Sequence, residues 1–142
     1  VLFRSLSNWM KYLHCLFLDR KDIKQGLKTI LTAVEKVKSG ISICIFPEGT
    51  RNKEPDECNL LPFHEGSFKI ATKANCPIIP IALNNTAQIF EAHMPKVTPC
   101  HVVVEYGKPI YPDQLEKEDK KHLGAYTQKI IAEMLNKNKE LL

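Results

Sequence analysis

The sequence predicts an α/β fold, a mostly parallel open sheet with helices packed on it. Three observations carry this. Residues 22–38 hold an apolar stripe at helical spacing, and short apolar runs flank them at Leu13–Leu18 and Ile41–Phe46. A strand, a helix and a strand within about thirty residues form a βαβ unit with parallel strands and a right-handed crossover. Further apolar runs at Pro77–Leu83 and His101–Tyr106 precede a C-terminal helical stripe. No linker or repeat interrupts the pattern, so residues 1–142 read as a single domain.

The elements follow in order. In residues 1–13, Leu2, Leu6, Trp9, Met10 and Leu13 recur at helical spacing. Such a stripe faces a core more often than a membrane surface, the second use that Arg4 and Lys11 on the other side leave open. The segment starts without a methionine or a polar lead-in, which reads as a truncated beginning. Residues 13–18 form a strand ending at Asp19-Arg20-Lys21. Helix 22–38 presents Ile23, Leu27, Ile30, Leu31, Val34 and Val37 on one side, with Asp22 as cap and Gly40 as terminator. Residues 41–46 are the next strand, 52–62 a loop, and 64–75 a short helix with Phe68, Ile70 and Ala71 inward. The two prolines in Pro77–Leu83 predict an edge or irregular strand, and Asn84-Asn85-Thr86 a polar cluster at its end. Residues 87–100 are loop and 101–106 strand. The final helix, from about Lys117, has a stripe of Leu123, Tyr126, Ile130, Ile131, Met134 and Leu135.

Composition narrows the functional classes. An apolar content of 44% over 142 residues supports one core. The formal charge is +4, and residues 1–40 hold the whole surplus, with eight Lys/Arg against three Asp/Glu. That favours an anionic or phosphate-bearing surface near the first segment. No basic-aromatic interleaving or nucleic-acid motif accompanies it, so no nucleic-acid partner is expected. The five cysteines, Cys15, Cys44, Cys58, Cys76 and Cys100, are odd in number and contain no Cys-x-x-Cys. Several lie in apolar runs, which reads as buried reduced thiols in a cytosolic compartment. No stretch reads as a membrane span or a signal peptide. No His/Cys/carboxylate cluster has metal-ligand spacing, so no metal is expected. Gly-x-Ser-x-Gly, phosphate-loop and dinucleotide patterns are lacking.

The stretch of most chemical content is Phe46-Pro-Glu-Gly-Thr-Arg51. Pro47 has no N–H for a ladder, so the chain leaves the sheet there. Gly49 allows torsions or a close approach that a side chain would block. Glu48, Thr50 and Arg51 then share one turn. The Arg51 guanidinium can grip a phosphate in a bidentate fork, or pair with Glu48 at the surface. In a βαβ unit with neighbouring strands, Asp19-Arg20 and Glu48–Arg51 lie on the same carboxyl-end rim, with Asn84-Asn85-Thr86 as a third polar cluster there, and open α/β sheets bind ligands at that rim.

With Leu16-Phe-Leu-Asp-Arg20 upstream, Phe46–Arg51 on the turn and Pro77-Ile-Ile-Pro-Ile81 downstream, the chain resembles the glycerophospholipid acyltransferases, in particular bacterial lysophosphatidate acyltransferases. Three of that family's four motif blocks are matched in order, over nearly the whole chain. The resemblance implies a glycerolipid acyltransferase-like fold. It implies transfer of a fatty acyl group from a thioester co-substrate, acyl carrier protein or acyl-coenzyme A, to lysophosphatidate, with phosphatidate as product and no further cofactor. It implies acceptor binding by Arg20, Glu48, Gly49, Thr50 and Arg51. It also implies work at the cytoplasmic side of the cell membrane, peripherally or through an anchoring segment ahead of residue 1.

The family's first block, Asn-His-x-x-x-x-Asp, supplies the general base and the carboxylate that orients it. By the family's order it falls before residue 1, so no catalytic residue is expected within the chain. His14 and Asp19 reproduce the His-x-x-x-x-Asp spacing, but they overlap the second block, lack the Asn and enclose four apolar residues. In a strand, positions five apart face opposite sides. His64, His93, His101 and His122 lie in no acid-paired motif. The expectation is an acyltransferase. The alternative is a non-catalytic module that binds lysophosphatidate or a phospholipid headgroup.

Overall fold

The structure is a computed structural model that describes residues 4–18 and 22–142. The chain divides into two compact units, with the boundary between Ile43 and Cys44.

The first unit is built from α1 (Arg4–Tyr12) and α2 (Ile23–Lys38). Asp22 Oδ1 accepts the Gln25 N–H at 3.0 Å, the cap expected for α2. At the other end the Gly40 N–H donates to Val37 O and the Ile41 N–H to Lys36 O, each at 3.0 Å, with Gly40 at φ 92°. This paired closure needs a left-handed residue, which glycine supplies at least cost. Ala33 and Val34 are buried on α2, whereas Leu27 and Leu31 are exposed, so the predicted stripe is only half covered. The expected burial of α1 also differs from what is found, because Trp9 is 68% exposed and Leu13 75%.

The two runs expected as parallel strands make no ladder among the described residues. Phe17 O accepts from Gln25 Nε2 at 3.2 Å and from Thr29 Oγ1 at 3.4 Å, so side chains of α2 occupy a carbonyl that a strand neighbour would use. Residues 41–46 form no strand, and Ile45 and Phe46 are exposed. Their β-branched content shows fitness for a pleated, half-buried surface, and it makes a strand only where a partner edge lies alongside. The α/β class stands, but among the described residues the sheet is two-stranded and antiparallel.

That sheet lies in the second unit. β1 (Ile81–Asn84) pairs with β2 (Val103–Tyr106) from Ile81 opposite Tyr106 to Asn84 opposite Val103. A lone bridge, Ile78 to Ile110, continues the pairing beyond Pro80, whose carbonyl accepts the Gly107 N–H at 2.9 Å. The irregular strand forecast by the two prolines is therefore present. α3 (Glu65–Ala74), α4 (Lys117–Lys121) and α5 (Leu123–Asn138) complete the unit with short 3-10 turns.

Two apolar clusters hold it together. Phe68, Ile110 and Leu123 gather Phe63, Ile78, Leu115, Tyr126 and Ile130; Ala82, Met134 and Leu135 gather Cys58, Leu60, Ile130 and Ile131. Ile130 belongs to both, so α5 joins α3 to the sheet. The predicted α5 stripe supplies six of these side chains: Leu123, Tyr126, Ile130, Ile131, Met134 and Leu135. Full burial of a side chain such as Leu123 contributes about 1.5–3 kcal/mol. The cysteines are all free, but none is fully buried, and Cys44, expected inside a strand, is exposed. Among the described residues no helix is long and apolar enough to cross a membrane.

Candidate functional site

Pro47 presets the first corner of the Phe46–Arg51 turn, and the Gly49 N–H donates back to Phe46 O at 3.0 Å. Gly49 has φ 67°, a conformation in which a Cβ would be strained. Two further bonds fix the turn against the chain that follows. The His64 N–H donates to Pro47 O at 2.9 Å, just ahead of α3. Glu48 Oε2 accepts the Leu61 N–H, also at 2.9 Å.

These bonds bear on the expected surface pairing of Glu48 with Arg51. Glu48 and Arg51 do not pair with each other. Glu48 is half-buried and braces the chain at Leu61, while Thr50 and Arg51 are exposed. Among the described residues the Arg51 guanidinium has no hydrogen-bond or ion-pair partner. The turn thus presents an exposed hydroxyl and an exposed guanidinium on successive residues, while the Glu48 carboxylate is tied to Leu61. Asp19 and Arg20 lie outside the described residues.

Residues 52–62, predicted as a plain loop, form a strap tied along its length. Asn52 Nδ2 donates to Asn59 O at 2.7 Å and closes the strap on itself. Glu57 Oε1 accepts from Asn84 Nδ2 at 2.7 Å, and its Oε2 accepts the Asn85 N–H at 2.8 Å. Asp56 pairs with Lys139 at 2.9 Å. The hydrogen bond from Lys139, followed by that from the Cys58 N–H, holds the Asp56 carboxyl below its ordinary range, and Asp56 in turn raises Lys139. Desolvation raises the Cys58 thiol, so it is neutral at pH 7. From α5, Gln128 Nε2 donates to Leu60 O at 3.2 Å and Leu61 O at 3.0 Å.

The polar cluster at Asn84–Thr86, expected on the ligand rim, has a different role at its first two residues. Asn84 is fully buried and also donates to Leu135 O at 3.1 Å, and Asn85 Nδ2 donates to His101 O at 2.8 Å. Both bind protein groups. Glu57 was not distinguished in the sequence, because its partners lie 27 and 28 residues away. Gln128, reaching across 67 and 68 residues, gave no signal either.

Among the described residues no histidine is paired with a buried carboxylate. His14 occupies a left-handed turn after α1 with φ 59°, so the strand argument about its facing does not apply there. Its Nδ1 lies 3.3 Å from Lys36 Nζ, a cation's ammonium rather than a carboxylate. His122, expected without an acidic partner, has Glu118 at 3.5 Å one turn away, and both side chains are well exposed. Among the described residues no group of three or more His, Cys, Asp or Glu could hold a metal ion.

A family model described as Acyltransferase matches residues 2–84, more than half of the chain. This chain belongs to the acyltransferase family. The match runs from α1 through the braced turn to the end of β1. The chain is 29% identical over 126 residues to the 1-acyl-sn-glycerol-3-phosphate acyltransferase of Saccharomyces cerevisiae, covering 88% of this chain and 40% of that one. It is 32% identical over 121 residues to the enzyme of that name from Escherichia coli, covering 84% and 47%. The crystal structure of the 1-acyl-sn-glycerophosphate acyltransferase of Thermotoga maritima shares the fold of this acyltransferase-family chain, with a TM-score of 0.78 at 24% identity over 96% of this chain and 52% of that one. The acyltransferase-family chain thus spans about half, or less, of the length of these relatives. The resemblance to glycerophospholipid acyltransferases read from the three motif blocks is met by these matches.

Proposed function

We propose that this chain is the acceptor-binding part of an acyltransferase that esterifies lysophosphatidate to phosphatidate, drawing the acyl group from a thioester carrier, acyl carrier protein or coenzyme A. The observation that carries the reading is the Arg51 guanidinium, exposed, without a partner among the described residues, and mounted on a turn fixed at Gly49, Pro47 and Glu48. A phosphate monoester is the ligand that a planar guanidinium fork grips best. The 1-acyl-sn-glycerol-3-phosphate acyltransferases of yeast and Escherichia coli, similar over most of this chain, support that acceptor. In this reading Arg51 contacts the phosphate, Thr50 and the Gly49 backbone line its approach, and Glu48 keeps the turn in shape; Arg20, outside the described residues, is assigned to the acceptor by the family resemblance alone.

We assign no general base among residues 1–142. The acceptor is an amphiphile, so the reading puts the protein at a membrane surface, and the family resemblance makes that the cytoplasmic face. Trp9, Tyr12 and Leu13, all exposed, give α1 an apolar side for that surface. Both compact units serve one acyltransferase domain, since the family match crosses the boundary between them.

The test is Arg51→Lys, which keeps the charge and removes the fork. Titration with lysophosphatidate should show binding weaker by about 1–3 kcal/mol, the scale of a charged hydrogen bond. The melting temperature should not move, because the side chain braces nothing. A collapsed melting temperature with unchanged affinity in the folded fraction would make Arg51 a structural residue.

A further inference from the structure

The Glu48 brace is only half of a clamp. Leu61 is held through both of its peptide groups. Its N–H donates to Glu48 Oε2 at 2.9 Å, and its carbonyl accepts from Gln128 Nε2 at 3.0 Å. The same amide nitrogen has a second hydrogen, and Leu60 O lies 3.2 Å away. An unbroken hydrogen-bonded path therefore runs from the middle of α5, through one residue of the strap, to the carboxylate next to Gly49. Gln128 shares its helix face with Ile131 and Leu135, three and seven positions on, whose clusters include Leu60 and Cys58. Apolar packing sets the distance between helix and strap, and the amide sets the register.

We propose that Gln128 is a positioning residue for the phosphate-binding turn, holding Leu60-Leu61 so that Glu48 fixes the direction in which Arg51 points. The inference rests on the reading of Arg51 given above. It assigns a role to a residue outside the matched span 2–84. The chemistry is economical: one primary amide supplies two donors in a plane, which suits two successive carbonyls. Hydrogen bonds in such a chain polarise one another, so loss of the outer pair weakens the inner one as well. Arg51 follows Glu48 by three residues, and a small rotation of the turn swings a long side chain. Displacements of about 1 Å at a site are enough to cost binding and rate.

Gln128→Leu removes both donors while keeping the size and the helix preference, and Gln128→Lys keeps a donor. In the full chain, amide hydrogen exchange at Leu61 and Gly49 should speed up about tenfold in Gln128→Leu and partly recover in Gln128→Lys. The lysophosphatidate Kd should rise about fivefold to tenfold, the effect of one neutral hydrogen bond, and Gln128→Lys should lie between. The effects of Gln128→Leu and Arg51→Lys should be non-additive, since the first misdirects the group that the second alters. A merely structural Gln128 would lower the melting temperature and leave this coupling at zero, which overturns the proposal. Unchanged exchange at Leu61 overturns it too, as does faster exchange with an unchanged Kd. If the unsubstituted protein binds no lysophosphatidate, the functional reading fails on its own. The exchange of Leu61 and Gly49 then decides whether Gln128 holds the turn.

Discussion

Asn84→Asp tests most sharply whether the end of β1 is structure or site. The change replaces one NH2 by an oxygen without altering shape, so no cavity forms. It removes the bond to Glu57 Oε1 at 2.7 Å and the bond to Leu135 O at 3.1 Å. A hydrogen bond to a charged group contributes about 1.5–3 kcal/mol net and a neutral one about 0.5–1.5. The new carboxylate would also face that of Glu57 at a position with 0% exposure, where like charges cannot both ionise. A cost of about 3–5 kcal/mol follows, comparable to breaking a buried charged contact. That is a large share of the roughly 5–15 kcal/mol by which domains are stable.

Urea denaturation at neutral pH should show the midpoint lowered by more than about 1 M, with an unchanged slope. The pair can share one proton, so the deficit should shrink as the pH is lowered toward about 5 and the introduced carboxyl becomes a donor to Glu57 again. An unchanged midpoint at neutral pH would refute the argument. Loss of lysophosphatidate binding at an unchanged midpoint would return Asn84 to the ligand rim, where the sequence had put it.

Two further outcomes check the same unit. In Gly124→Ala, the added Cβ would lie 2.6 Å from Glu65 Oε1, so the Glu65 carboxylate must leave the Gly124 N–H it now accepts at 3.0 and 3.2 Å. Losing a charged bond, about 1.5–3 kcal/mol, outweighs the gain of at most about 1 kcal/mol in helix propensity, so the melting temperature should fall. Replacing Lys139 by Met should lower the urea midpoint at neutral pH and leave it unchanged in strong acid. Asp56 is depressed below its ordinary value of 3.8, so its contribution is present above that pH and is lost as the pH falls through the folded value. Lys139 is raised above 10.5, so its share is present below that pH and fades only at higher alkalinity. A difference that persisted at about pH 2 would show that the aliphatic stem of Lys139, and not its charge, makes the contact.

What the sequence made legible is what short-range physics controls. Asp22 and Gly40 bound α2 as their chemistry requires, the turn at Phe46–Arg51 forms where Pro47 and Gly49 force it, and the α5 stripe lines the two clusters. Leu13–Leu18 and Ile41–Phe46 had the composition of strands, but composition does not supply a neighbouring edge. Phe17 O is occupied by α2 side chains instead. The site divides in the same way. Arg51 was visible as a guanidinium on a glycine turn, because everything that exposes it lies within six residues. What orients it was not visible. Glu48 acts on Leu61 thirteen residues on, and Gln128 on Leu61 across sixty-seven. Neither of these contacts leaves a periodicity, since in each case one partner is a backbone group. A motif can therefore name the group that would meet the phosphate. The direction of that group is set by a strap residue and a helix whose sequences carry no motif, so Gln128 is where substitutions should alter the site without touching it.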